Sequence, residues 1–197
     1  MNVVFATGNA SKFYEASAVC QTMGIELEQA TVDIDEIQHH DSVKITEAKV
    51  RAAYDVLQRP VVVNDSSWEI PALGGFPGGY MKDVAAWLQT EDFSALMANK
   101  EDKSIHLKEY VAFYDGETLN IFTHQRIGHF LDSPRGQAPP SFARLVQMDS
   151  DDVTISEIFD KGNWDTSNPD EYKHWYDFAS WYAESNKNNK GENNANF

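Results

Sequence analysis

The sequence predicts an α/β fold, and three observations predict it. Residues 3–6 and 60–63, "VVFA" and "PVVV", are short apolar runs of the kind found in strands covered on both faces. Between them Phe13, Ala16, Val19, Cys20 and Met23, and then Ala48, Ala52, Ala53 and Val56, recur at helical spacing. A further strand at 26–31 completes the order strand, helix, strand, helix, strand, which is that of a wound sheet.

Each element has its own local signal. Gly24 stops the first helix, and the second spans 43–57. The stretch "PALGGFPGGYMK", 71–82, is too rich in glycine and proline for regular structure. Short helices are expected at 82–88 and 93–98. Residues 106–125 alternate about Asp115-Gly116, a two-residue hairpin signal. A last helix, 170–184, is rich in aromatics. The polar end "NKNNKGENNANF" has almost nothing to bury, so the division expected is one domain over 1–184 and a disordered tail over 185–197.

Composition narrows the function classes. The 197 residues suit one domain or two small lobes around a cleft. Lys plus Arg is 16 against 31 for Asp plus Glu, a formal net charge of −15, which repels a nucleic acid polymer. A small anion remains an acceptable ligand wherever a few lysines converge. No apolar run reaches membrane-spanning length, and no signal peptide is visible at the amino terminus. The single cysteine, Cys20, falls on the apolar side of the first helix and is expected to be a buried thiol. These features together lead to the expectation of a cytoplasmic protein without membrane association.

In a wound sheet, ligands bind at the carboxyl ends of the strands. Thr7-Gly8-Asn9 follows the first strand, Glu36 the second, and Asp65-Ser66 the third. The turn at Gly8-Asn9 is either an ordinary strand–helix connection or a cradle for phosphate, formed by backbone N–H groups, a helix start and the Lys12 charge. No Walker loop is present. Asp65 closes a buried apolar run, where a carboxylate needs a cationic partner, a metal ion or a capping role through Ser66.

The segments "FATGNASK", "DIDEIQ", Lys49, "VVVNDSS", "ALGGFPGGYMK" and "EDKS" occur in the order and near the spacing of the inosine triphosphate pyrophosphatases, the Ham-type family. The resemblance extends faintly to "SPRG", 133–136, and "TISEI", 154–158. It implies a mixed, twisted central sheet with flanking helices, two lobes around a deep cleft, and a homodimer. It also implies a magnesium-dependent hydrolase of nucleotide metabolism. Such an enzyme splits a non-standard nucleoside triphosphate into the monophosphate and pyrophosphate. A nucleotide-binding regulatory module without turnover is the alternative. Carried over by residue, Thr7, Gly8, Asn9 and Lys12 resemble the phosphate-binding turn, and Lys49 and Lys82 the lysines that hold the triphosphate. Glu36 resembles the acidic residue near the metal. Asp65 resembles the essential aspartate, binding metal or activating water, with Ser66 beside the substrate. Asn64 stands where the family often has a second acidic residue, so the essential role rests on Asp65.

The second half departs from the family. Its "FGWD" or "FGYD" stretch and its late "SHR", which recognise the base, are replaced by "QAPPSFARLV", 137–146, and "NPDEYKHWYDF", 168–178. Phe142, Arg144, Lys173, His174 and Trp175 are the available substitutes, and Lys161 loosely matches a lysine near the base. Base specificity is not inherited through these segments.

Overall fold

The computed structural model describes residues 1–162 and 168–193, with backbone alone over 188–193. Three strands open the sheet. β1 (Asn2–Ala6) lies between β2 (Glu26–Ala30) and β3 (Val61–Glu69), parallel to both. The order continues through β5 (Ser104–Tyr114), β6 (Leu119–Phe130) and β7 (Val146–Met148), all antiparallel, while the two-residue β4 (Pro77–Gly78) pairs with β3. The sheet is therefore mixed, with its parallel part built from the predicted strand–helix repeats.

Two helix layers cover the parallel part. On one face α1 (Ala10–Gln21) and α6 (Lys173–Asn193) pack Ala16, Val19, Cys20, Trp175 and Phe178 against Val3, Phe5, Val62, Val111 and Phe113. On the other, α2 (Ser42–Leu57) sets Val50 and Ala53 against Val4, Val61, Val63 and Ala112. A third apolar cluster lies further along the strands, where α3 (Met81–Trp87), α4 (Thr90–Met97) and the segment 142–148 enclose Ile70, Ile105, Leu107 and Phe130. β5 thus serves two cores: Val111 and Phe113 belong to the first, Ile105 and Leu107 to the second. A short helix, α5 (Ile155–Lys161), starts from a capping box between Thr154 and Glu157.

The structure corrects several expectations. β3 does not end at Val63; it runs to Glu69, paired residue by residue with β5, so Asp65 sits mid-strand opposite Tyr110. Polar residues continue this strand because tertiary pairing, and not apolar burial, satisfies its backbone. The hairpin is present, but its loop is four residues: Tyr114 pairs with Leu119, and the Asp115 carboxylate accepts the Glu117 and Thr118 amides. The glycine-rich segment carries regular pieces after all, a 3₁₀ turn at Pro71–Leu73 and the strand β4.

The last helix starts at Lys173 and overruns its expected end at Glu184, reaching Asn193. The Ser185 and Asn186 side chains donate to the Trp181 and Tyr182 carbonyls and continue the turn pattern. The expected tail, 185–197, is therefore helical in its first part, and 194–197 lie outside the described residues. Cys20 is fully buried, and burial pushes its thiol up to about 12, so it is a core residue. No helix among the described residues is long and apolar enough to cross a membrane.

Candidate active site

A cavity of about 1330 Å³ opens between the parallel part of the sheet and the lobe of α3, α4 and the 137–144 segment. Thr7, Gly8, Asn9, Lys12, Glu36, Lys49, Asp65, Ser66 and Lys82 all line it. Nine positions from five separate stretches of chain thus meet in one cleft.

The first turn is built by local hydrogen bonds. Asn9 caps α1: its Oδ1 accepts the Ser11 and Lys12 amides at 2.9 and 3.1 Å. The Asn9 amide donates to Thr7 Oγ1 at 3.1 Å, and the Thr7 amide to the Ala30 carbonyl. Two of the helix-start amides offered to a phosphate by the sequence are thereby already taken. What this turn presents to an anion is the Gly8 backbone and the Lys12 ammonium. Lys12 is displaced below its usual range, first by burial, then against the field of Asp65 and with that of Lys49.

α2 supplies Lys49. Asp41 caps this helix by accepting the Val43 amide, and Ser42, Ile45 and Lys49 form the stripe that faces the cavity. Lys49 Nζ lies 2.6 Å from Glu36 Oε1 and 3.8 Å from Asp65 Oδ2. The hydrogen bond from Lys49 holds the Glu36 carboxyl below the usual carboxylate range, with burial acting against it and Lys82 and Lys12 assisting. Asp65 Oδ1 accepts the Ser66 amide at 2.8 Å. Asn64 also lines the cleft, with its Nδ2 donating to the Tyr110 carbonyl at 3.0 Å.

Lys82 stands on the first turn of α3 and makes no ion pair among the described residues. It reaches the cleft because the chain before it turns through Gly74, Gly75 and Gly78, all at positive φ. Gly79 is required for closeness instead: a Cβ there would come 2.9 Å from Ile45 Cδ1.

A hard divalent cation fits the acidic pair. Glu36 and Asp65 offer only oxygen donors and converge on one ammonium position, and among the described residues no three His, Cys, Asp or Glu form a metal cage. Such a cation needs only one or two carboxylates when its remaining ligands come from water and phosphate.

The sequence marks only part of the far wall. Trp68, Gln89, Thr90, Gln137, Ser141, Phe142 and Arg144 line it. Phe142 is a core residue whose ring packs on Trp68 and Phe93, and Arg144 donates its Nε to the Gly136 carbonyl. The other three substitutes do not line the cleft: His174 and Trp175 lie on the buried face of α6, and Lys173 pairs with Asp177 on the surface. Lys161, at the end of α5, is likewise outside the lining.

Fold and cleft together define an α/β protein with a lysine-lined, carboxylate-bearing site for an anionic ligand. The chain matches the sequence profile of the Ham1 family over residues 3–164, and it belongs to that family. It is 30% identical over 159 residues to a dITP/XTP pyrophosphatase of Methanopyrus kandleri, covering 80% of this chain and 85% of the relative. A dITP/XTP pyrophosphatase of Methanosarcina acetivorans is 32% identical over 179 residues, 88% of this chain and 96% of that one. The fold is that of a solved HAM1 protein from Coxiella burnetii, with a TM-score of 0.76 at 18% identity over 93% of this chain and 99% of that one.

Proposed function

We infer that the protein is a nucleoside triphosphate pyrophosphatase, cleaving a non-standard nucleoside triphosphate between the α and β phosphates. The observation that carries this reading is the meeting of Lys12, Lys49 and Lys82 with Glu36 and Asp65 in a single cleft of an otherwise acidic protein. The names of related proteins support it: the relatives from Methanopyrus kandleri and Methanosarcina acetivorans are dITP/XTP pyrophosphatases. No observation favours a regulatory module over an enzyme.

The roles follow from position. Lys12, Lys49 and Lys82, with the Thr7-Gly8-Asn9 turn, hold the triphosphate and neutralise it. Glu36 and Asp65 would hold magnesium, which when bound supplies charge neutralisation on the phosphates and lowers the pKa of water. Asp65 lies where a carboxylate on a rigid central strand can orient or deprotonate the attacking water. Ser66 flanks the substrate. Lys49 leaves the two carboxylates for the phosphates as the substrate enters, which exchanges one set of opposite charges for another. On the same reading the protein works in the cytoplasm as a homodimer, the arrangement implied by the sequence resemblance.

The test is pyrophosphate release with magnesium across inosine, xanthosine, the standard deoxynucleoside and modified pyrimidine triphosphates. Stoichiometric pyrophosphate and monophosphate are expected. Release of inorganic phosphate alone, or of nothing, would refute the reading.

A further inference from the structure

The two carboxylates proposed to hold the metal ion already have a cation between them. Lys49 Nζ stands 2.6 Å from Glu36 Oε1 and 3.8 Å from Asp65 Oδ2, and neither carboxylate has another ion-pair partner among the described residues. The second Asp65 oxygen accepts the Ser66 amide. Lys49 is fixed in this place by α2, where Ile45, one turn earlier, lines the same cavity and is buried.

This is not a loose surface contact. The side chains of Lys49 and Asp65 are only 18% and 24% exposed, with Glu36 half exposed. Ion pairs between fully exposed groups contribute little, whereas removing one partner from an enclosed set leaves a charge without compensation. The cleft lining as a whole is self-neutral, with four basic side chains against four acidic ones. A divalent cation entering alone adds two charges that nothing balances, and it meets an ammonium seated between its own ligands. A triphosphate reverses both conditions. It brings the missing negative charge, and its oxygens give Lys49 new partners as the ammonium leaves. Metal and phosphate then favour each other, and linkage makes that coupling equal in both directions.

We propose that Lys49 is a placeholder for the divalent cation: its ammonium neutralises Glu36 and Asp65 in the free protein and yields that place only when phosphate draws it away. A lone metal ion is thereby kept out, and the ligand the cleft takes up is the complex of metal and triphosphate. The inference rests on the preceding reading of the cleft. It adds to the phosphate contact of Lys49 a second role, exercised before the substrate arrives.

The experiment follows Mn²⁺, a paramagnetic substitute for magnesium, by water-proton relaxation, first alone and then as its preformed complex with inorganic tripolyphosphate. The wild type is expected to bind the complex at least about tenfold more tightly than Mn²⁺ alone, within the usual span of coupling between sites. Lys49→Met, which keeps the chain length and removes the charge, should move the two constants in opposite directions. Mn²⁺ alone should bind about tenfold more tightly and the complex more weakly, because the coupling is lost with the ammonium. Lys49→Arg should exclude lone Mn²⁺ as the wild type does, and Lys49→Gln serves if Lys49→Met does not fold. Adding Asp65→Asn to Lys49→Met should abolish the gain. Lone Mn²⁺ bound no more tightly by Lys49→Met and Lys49→Gln than by the wild type would overturn the proposal, as would equal wild-type affinities for Mn²⁺ and the complex. A gain that survives Asp65→Asn would overturn the carboxylate assignment with it. Pyrophosphate release is measured separately, so its absence beside opposite shifts in the two constants would refute the reaction and not the placeholder.

Discussion

The Lys49 ammonium is shared between Glu36 at 2.6 Å and Asp65 at 3.8 Å. One lysine on α2 thereby holds together two carboxylates that arrive from a loop and from a central strand. Lys49→Ala should accordingly return the Glu36 carboxyl toward its usual range, because the lysine hydrogen bond is the largest cause of its depression. The group should then titrate at higher pH than in the wild type, as followed by carboxyl NMR. An unmoved Glu36 titration would mean that the pair does not persist in solution.

Asp65→Asn should cost about 10²–10⁴-fold in kcat, the range expected for loss of a positioned general base. The side chain is isosteric, and Asn can still accept the Ser66 amide, so the thermal midpoint should hardly change. Near-normal turnover at saturating magnesium would remove Asp65 from the mechanism.

If Lys82 holds phosphate as proposed, Lys82→Ala should weaken all nucleoside triphosphates alike, since Lys82 lines the cleft and pairs with no protein carboxylate among the described residues. Charge-assisted contacts contribute about 1.5–3 kcal/mol. A variant that separated one base from another by its binding constant would place Lys82 at the wrong end of the cleft.

Selectivity for inosine and xanthosine triphosphates should be looser than the family pattern implies. The late His-Arg pair is missing, the segment 137–144 offers a buried Phe142 and a tethered Arg144, and His174 and Trp175 are in the core. Sites reject analogues chiefly by leaving their own buried polar groups unpaired. Comparison of kcat/KM values across the nucleotide panel decides this, and a sharp preference for inosine and xanthosine would show that other residues supply the contacts.

Burial lowers the His174 pKa to about 3, with His124, Arg126 and Lys12 adding repulsion. The unfolded chain, with an ordinary histidine, binds a proton that the folded chain refuses. Stability from this group is therefore fully present above about pH 6.5 and is lost as the pH falls toward 3, by up to about 1.4 kcal/mol per unit. His174→Gln should flatten that acid limb in denaturant titrations at pH 4–7. An identical slope in both proteins would contradict it.

The sequence by itself determined the parallel half of the fold and a set of residues that meet in one cleft. Apolar runs such as "VVFA" have one way to be satisfied, burial on both faces, and turns at strand ends expose their residues whatever the distant chain does. Thr7 to Lys12 and Glu36 were legible for that reason, whereas Lys49 and Lys82 on helices and Asp65 in mid-strand were legible through their resemblance to a known series of motifs. Tertiary structure decided the rest. That β3 continues as a strand through Asp65 depends on β5, some forty residues away, which supplies its hydrogen bonds. That Asn9 takes the helix-start amides depends on side-chain geometry no spacing reveals. Glu109 left one trace, a charge in register with Val111 and Phe113 on a core-facing strand, but its partners Arg126 and His174 come from β6 and α6. Long-range pairing chooses which polar groups are buried together, and that choice has no local signature in the chain.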